Sequence, residues 1–215
     1  MFKRILFSFV FICSSSSLYS QYFGLTAGVN VPKWKDDNST FNTGFNVGLK
    51  FESDLAPSFF VEGSLLFSKQ GLAYKSKRFF ELDHEDKIDL WYVKLPVNLG
   101  YRFRINRSMS VAPKGGVFGA VGVKGKDHDL ADKNWAIGND DLDPFKNYTD
   151  LSKNFENYKR GDFGLALGLN FLIAEHVELS AGYEFGMVSI WEYGKTFGID
   201  GDKTRNLYVN LAYLF

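Results

Sequence analysis

Nine charged residues alternate with bulky apolar ones along the chain: Lys50, Glu52, Glu62, Lys94, Arg102, Arg104, Lys114, Glu178 and Glu184. Half of the positions two away from them are Gly, Ala, Ser or Asn. Two kinds of chemistry fit acids and bases gathered on one inner surface. They either neutralise one another or line a path for ions. An ion taken out of water without a partner costs several kcal/mol, so in a narrow interior these groups must pair or be hydrated. The expectation is a structural network among Glu62, Lys94, Arg102, Arg104, Lys114, Glu178 and Glu184, filled out by Lys50 and Glu52. A gated ion path is the rival.

Catalysis finds less support. Acyl transfer or hydrolysis needs a nucleophile and a base within hydrogen-bond reach. His84 and His128 fall in long connecting segments, and His176 falls at a short turn on the opposite rim. No Ser/His/acid spacing stands out, and no catalytic residue is assigned. Asn139-Asp-Asp-Leu-Asp143 offers oxygen ligands suited to Ca²⁺ but lacks the spacing and distal Glu of an EF-hand loop. A solvated acidic loop is expected there, with no metal and no cofactor. Lys and Arg number 25 against 25 Asp and Glu, so no nucleic-acid footprint is present.

The charges must be positioned by eight period-2 segments, each with a bulky face and a small or polar face. In the clearest, Trp91, Val93, Leu95, Val97, Leu99, Tyr101 and Phe103 alternate with Tyr92, Lys94, Pro96, Asn98, Gly100, Arg102 and Arg104. The others centre on residues 23–30, 44–52, 59–68, 110–123, 162–171, 177–187 and 206–215. Each runs about ten residues, the length a tilted strand needs to cross a bilayer. The connections alternate: Ser53–Pro57, Asn106–Ser108 and Ala174–His176 are short, and 31–42, 71–87, 124–160 and 192–203 are long. Outer-membrane barrels show short turns on one rim and long loops on the other.

Alternation does not say which face is inside. Residue size does. An eight-stranded barrel has an interior just wide enough for side chains to fill. Small residues suit that interior, and Leu, Phe, Trp and Tyr suit lipid. The expected fold is an all-β, eight-stranded antiparallel transmembrane β-barrel, an up-and-down meander. Aromatics make up 17% of the chain and concentrate near segment ends. Trp91 and Trp191 are expected near the long-loop rim, and Tyr101, Phe103, Phe171, Tyr213 and Phe215 near the short-turn rim, as interfacial girdles. Pro96 and Pro113 lie inside strands and remove a ladder donor, which predicts a bulge or local pairing defect at each.

The N-terminus reads as a secretory signal peptide over residues 1–20, leaving residues 21–215 as the barrel. Lys3 and Arg4 precede an apolar run from Ile5 to Ile12, and a Ser-rich stretch leads to a cut after Ser20. The single cysteine, Cys13, falls inside it, and Ile12 before it is too large for a lipoprotein signal. No disulfide is expected. In the long loop 124–160, Asp143-Pro144 can start a helix. Phe145, Tyr148, Leu151, Phe155 and Tyr158 recur at roughly helical spacing, which predicts an amphipathic helix across the barrel mouth. Asn147-Tyr-Thr149 matches a glycosylation pattern and is read as chance.

Trp91-Tyr-Val-Lys-Leu-Pro-Val-Asn-Leu-Gly-Tyr-Arg-Phe103 resembles a strand motif of the PorT-like outer-membrane β-barrel family of Bacteroidetes. Gly115-Gly116 to Gly122, Gly182-Tyr-Glu-Phe-Gly186 and the aromatic C-terminus extend the resemblance over essentially the whole mature chain. It implies a cell outer-membrane barrel with no catalytic residues and, for some members, a link to secretion and gliding. The expected function is therefore non-enzymatic binding of a protein partner through the outer loops. The alternatives are a structural envelope barrel, a small pore or a lipid-modifying enzyme. Expected surroundings are the lipid bilayer and lipopolysaccharide, with barrel-assembly machinery reading the C-terminal Phe215 during insertion, and a monomeric state.

Overall fold

The computed structural model describes residues 21–34, 39–41, 43–76, 84–127, 145, 159–174, 176–189 and 203–215. Within them the chain forms ten strands: β1 (Gln21–Trp34), β2 (Ser39–Phe41), β3 (Gly44–Asp54), β4 (Phe59–Ser76), β5 (His84–Tyr101), β6 (Phe103–Arg104), β7 (Met109–Asp127), β8 (Gly161–Ile173), β9 (Val177–Ser189) and β10 (Lys203–Leu214). Eight are staves of one closed barrel. Neighbours around the ring are β1, β3, β4, β5, β7, β8, β9 and β10, and β1 pairs antiparallel with β10 to close it. The short β2 pairs with β4 beyond the ring, and β6 continues β5 along β7. Among the described residues there is no helix.

Closure leaves no free edge through the membrane, which lets an apolar strand end the chain. Thr26 pairs with Ala212 and Gly24 with Leu214, and the Phe215 N–H donates to the Phe23 carbonyl at 2.7 Å. The predicted orientation of the faces holds. Leu25, Leu49, Leu65, Leu95, Leu165, Leu167 and Leu211 stand exposed on the outer wall, while Lys50, Glu62, Lys94, Asn98, Glu178 and Asn210 are buried inside. Trp91 and Tyr101 stand ten residues apart on β5. That is roughly 34 Å of strand, or about 26 Å of height at a tilt near 40°. It matches the apolar band of an outer-membrane barrel, about 25 Å tall. Leu167→Arg, on the exposed face of β8, is therefore expected to cost about 2–4 kcal/mol in a bilayer. Urea titration in vesicles measures it, and a cost below about 1 kcal/mol would contradict a lipid-facing wall.

The prolines break pairing on one side only. The β4–β5 ladder omits the partners of Leu95 and Pro96 between Gly63↔Val97 and Leu66↔Lys94, with register kept. On the β7 side Pro96 stays paired with Phe118. Pro113 keeps Leu169 on β8. Opposite it, pairing lapses between Gly100↔Lys114 and Phe103↔Val111, which splits β6 from β5. Each missing N–H thus interrupts one seam and leaves the other intact.

Two expectations about the loops need correction. The segment read as a loop at 71–87 begins and ends as strand, with β4 running to Ser76 and β5 starting at His84, and the one at 124–160 begins as strand, with β7 running to Asp127. The staves rise past the apolar band, where lipid no longer demands hydrophobic alternation. Residues 1–20, Asn139–Asp143, the glycosylation pattern at Asn147–Thr149, Trp191 and most of the expected loop helix lie outside the described residues.

Candidate functional site

The lumen gathers most of the charges singled out from sequence. On β3, Lys50 points inward between three carboxylates. Its Nζ lies 2.8 Å from Glu62 and 3.5 Å from Glu52, and it donates to Glu178. The three carboxylates cluster tightly enough to suit a cation, but the Lys50 ammonium already stands among them. Glu62, on β4, is the hub. It also accepts from Lys114 Nζ at 2.5 Å, Asn98 Nδ2 at 2.9 Å and Asn170 Nδ2 at 2.8 Å. Four donors from β3, β5, β7 and β8 thus converge on one carboxylate, the dense satisfaction a buried ion requires.

Nearer the short-turn rim, Arg102 binds Glu52 and reaches Asp54 at 3.0 Å, with its guanidinium 4.9 Å from the Phe60 ring centre. Gly100 makes room for that ring, because a Cβ there would meet it at 2.3 Å. Toward the long-loop rim, Lys94 pairs with Glu184, which also accepts from Asn206 at 2.7 Å. The Thr204 hydroxyl donates to Asp162 at 2.6 Å. Asn30 donates to Asn46 at 2.9 Å and to Ser68 at 3.1 Å.

Glu62, Lys94, Arg102, Lys114, Glu178 and Glu184 are therefore brought into contact with opposite charges. Arg104 is not. It is exposed and lines an open vestibule with Arg107, Asn106 and Tyr22. Arg104 keeps the inner face of Arg102, paired with buried Ser110, but at the end of β6 it stands where the lumen opens to water. Sequence reading did not single out the asparagines as partners, although their place on the small face was visible. At the outer mouth, Phe145 is buried against the Tyr92 ring at 5.9 Å, over Gly122, and its carbonyl accepts from Arg160 at 3.2 Å. A Cβ on Gly122 would come within 2.4 Å of the Phe145 ring.

What remains open at mid-lumen is a cavity of about 30 Å³, bounded by Lys50, Glu62, Lys114, Glu178 and Tyr208 among others. That is room for a few water molecules. Toward the short-turn rim stand Phe60 and Arg102, and toward the long-loop rim Phe118, Lys94 and Tyr92.

On the outer wall, Trp91 packs on Phe67 at 5.3 Å and on Phe45 at 5.7 Å. At the other rim Tyr101 meets Phe59 and Phe103, and Tyr213 meets Phe215. Phe171 is exposed on β8. His176 donates its Nδ1–H to the Leu214 carbonyl, 2.9 Å away, and stacks on Tyr213. That arrangement pairs the imidazole with a backbone oxygen and a ring, and neither is a nucleophile.

The chain matches the family model described as outer membrane protein beta-barrel domain over residues 5–215. No curated protein matches it in sequence. Among solved structures it is similar to Ail, the attachment invasion locus protein of Yersinia pestis, in complex with the heparin analogue sucrose octasulfate. That pair is 20% identical with a TM-score of 0.45, covering 91% of this chain and 99% of Ail. OprG from Pseudomonas aeruginosa is 14% identical with a TM-score of 0.46, covering 93% of this chain and 98% of OprG. Neisserial surface protein A is 13% identical with a TM-score of 0.46, covering 92% and 99%.

Proposed function

This chain belongs to the outer membrane protein beta-barrel domain family, and on that premise we propose that it is a non-enzymatic barrel of the cell outer membrane that binds a protein partner through its outer loops. The observation that carries the reading is the filled lumen. Among the described residues the centre has room for a few waters and for no larger solute. Activity is thereby displaced to the surfaces. The outer one has more to offer: the chain between Asp127 and Lys159 is far longer than an idle connection needs, and Phe145 anchors it in the barrel mouth. Among the described residues the inner rim carries tight turns, such as Leu55–Ser58, closed by a Leu55 N–H bond to the Phe59 carbonyl at 2.8 Å.

Within the family, the Trp91–Phe103 strand supports a place beside the PorT-like barrels of Bacteroidetes, and with it a role in a secretion or envelope assembly. Residues 1–20 act as the signal peptide in this reading. The barrel-assembly machinery reads Phe215, and the barrel works as a monomer among lipopolysaccharide.

Photo-crosslinking in native membranes tests the proposal. A probe within residues 128–158 is expected to capture one envelope protein, which then recovers this barrel in a reciprocal pull-down. The same probe at Arg107, on the short-turn rim, is expected to capture none of it. Failure to capture any specific partner would leave the structural-barrel alternative in its place.

A further inference from the structure

The geometry points to a phosphate-binding site for lipid A on the outer wall, formed by Lys69 and Lys124 on either side of Trp91. The inference rests on the outer-membrane placement of the barrel and is independent of the loop-partner reading.

Four residues form one row across the sheet. Phe45 on β3 pairs with Lys69 on β4, Lys69 with Trp91 on β5, and Trp91 with Lys124 on β7. All four face outward. Phe45 is exposed, Lys69 lies between the inward Ser68 and Gln70, and Lys124 is exposed. Lys124 owes that orientation to an irregularity. The β5–β7 register slips between Trp91 and Tyr92, which face Lys124 and Gly122, so Val123 is the extra residue of a bulge. Strict alternation would turn Lys124 inward beside Gly122. The bulge instead sends Val123 and Lys124 out together, the re-aiming that bulges are known for.

The height of the row gives it meaning. Trp91, stacked on Phe67 and edge-on to Phe45, marks the outer limit of the apolar band. Headgroup phosphates of the outer leaflet lie at that level. Lys69 and Lys124 are two strands apart, roughly 10 Å between backbones. Both stems can therefore lean over the Trp91 ring toward one phosphate. Lys69 Nζ already lies 5.7 Å from the ring centre. One step higher, Lys126 faces outward beside Asp89, and Asp89 holds Lys69 at 2.7 Å. Lys124 adds a second ammonium on the far side of the ring, so the two lysines bring more positive charge to the row than Asp89 offsets. Acyl chains of the bound glycolipid would lie along Phe45, Phe67 and the leucines below. Phosphate on a lipid with several chains suits this combination better than a soluble anion, which has no use for the aromatic floor.

Native mass spectrometry of the folded protein released from detergent micelles tests this. The probes are monophosphorylated lipid A, fully dephosphorylated lipid A and phosphatidylglycerol. The wild-type chain is expected to hold one monophosphorylated lipid A, tighter than either other lipid. The Lys69→Gln/Lys124→Gln variant is expected to bind it about thirty-fold more weakly, as two lysines at a membrane surface imply. Heat-modified migration in gels checks that the variant is folded. Should the variant break the barrel, Lys124→Gln alone, on the exposed side of the bulge, is expected to show about a five-fold loss. Unchanged binding by a folded variant would overturn the site. So would equal binding of the dephosphorylated lipid, and equal binding of phosphatidylglycerol would overturn lipid A as its ligand.

Discussion

Neutralising Glu62 as Glu62→Gln is expected to cost about 3–5 kcal/mol of barrel stability, the usual consequence of removing one partner from a buried ion pair. Glu62 accepts from Lys50, Lys114, Asn98 and Asn170 at once. Lys50 would keep Glu178 and Glu52. Among the described residues Lys114 would keep the Ser180 hydroxyl at 2.9 Å and the Tyr208 ring at 5.9 Å, neither of which carries charge. The stranded Lys114 ammonium, more than the lost bonds, sets the size of the effect. Removing both charges with Glu62→Gln/Lys114→Gln is accordingly expected to restore about half of the loss, since replacing a whole buried pair is often close to neutral. Equilibrium urea unfolding in vesicles, read by tryptophan fluorescence, measures both. A single-variant loss below about 1 kcal/mol would mean that water, and not Glu62, solvates these lysines.

Gly48→Val is expected to prevent folding altogether. Gly48 faces the lumen on β3, and a Cβ there would sit 2.0 Å from the Leu65 carbonyl oxygen and 2.9 Å from the Leu66 Cα. Those atoms are backbone of β4, so no rotamer relieves the contact, and the cost exceeds the roughly 1–3 kcal/mol of ordinary overpacking. Gly28 makes the same close approach to the Val209 carbonyl, at 2.2 Å, on the seam that closes the barrel. Missing side chains at such points let neighbouring strands coil tightly enough to close a ring of eight. Gly119→Val is the control. Gly119 faces lipid, a Cβ there would meet nothing within 4 Å, and the variant is expected to fold like wild type. The folded fraction, from unboiled gel migration after refolding, separates the two. Equal folding of Gly48→Val and Gly119→Val would contradict the tight β3–β4 seam.

The strands and their two faces were legible because lipid outside and a narrow interior impose opposite demands on successive residues. Leu95 and Lys94 could not share a face under those demands, and they do not. Pro96 and Pro113 were legible as defects because a missing N–H acts wherever the ring sits, although the affected seam depended on strand polarity. The charge partners were not legible. Lys94 binds Glu184 across the lumen, from β5 to β9, and such pairings depend on the stagger of the closed ring and not on spacing along the chain. Arg104 was misplaced because alternation carries no information about where a strand leaves the membrane. The raised ends of β4, β5 and β7 escaped notice for the same reason: beyond the apolar band no alternation is demanded, and Tyr74-Lys-Ser76 and His84-Glu-Asp-Lys87 read as loop in the sequence. Phe145 had a signal in hindsight, since Gly122 on the small face of β7 vacates the volume its ring fills.

A lumen filled by paired charges and aromatic rings implies a barrel that works at its surface. Planar-bilayer recording of the purified, refolded protein tests that most directly. The account predicts a silent membrane at protein densities that give clear steps with a known porin. Stable, reproducible conductance steps from the wild-type chain would contradict it, because ions would then be crossing where Glu62, Lys50, Lys114 and Phe60 stand.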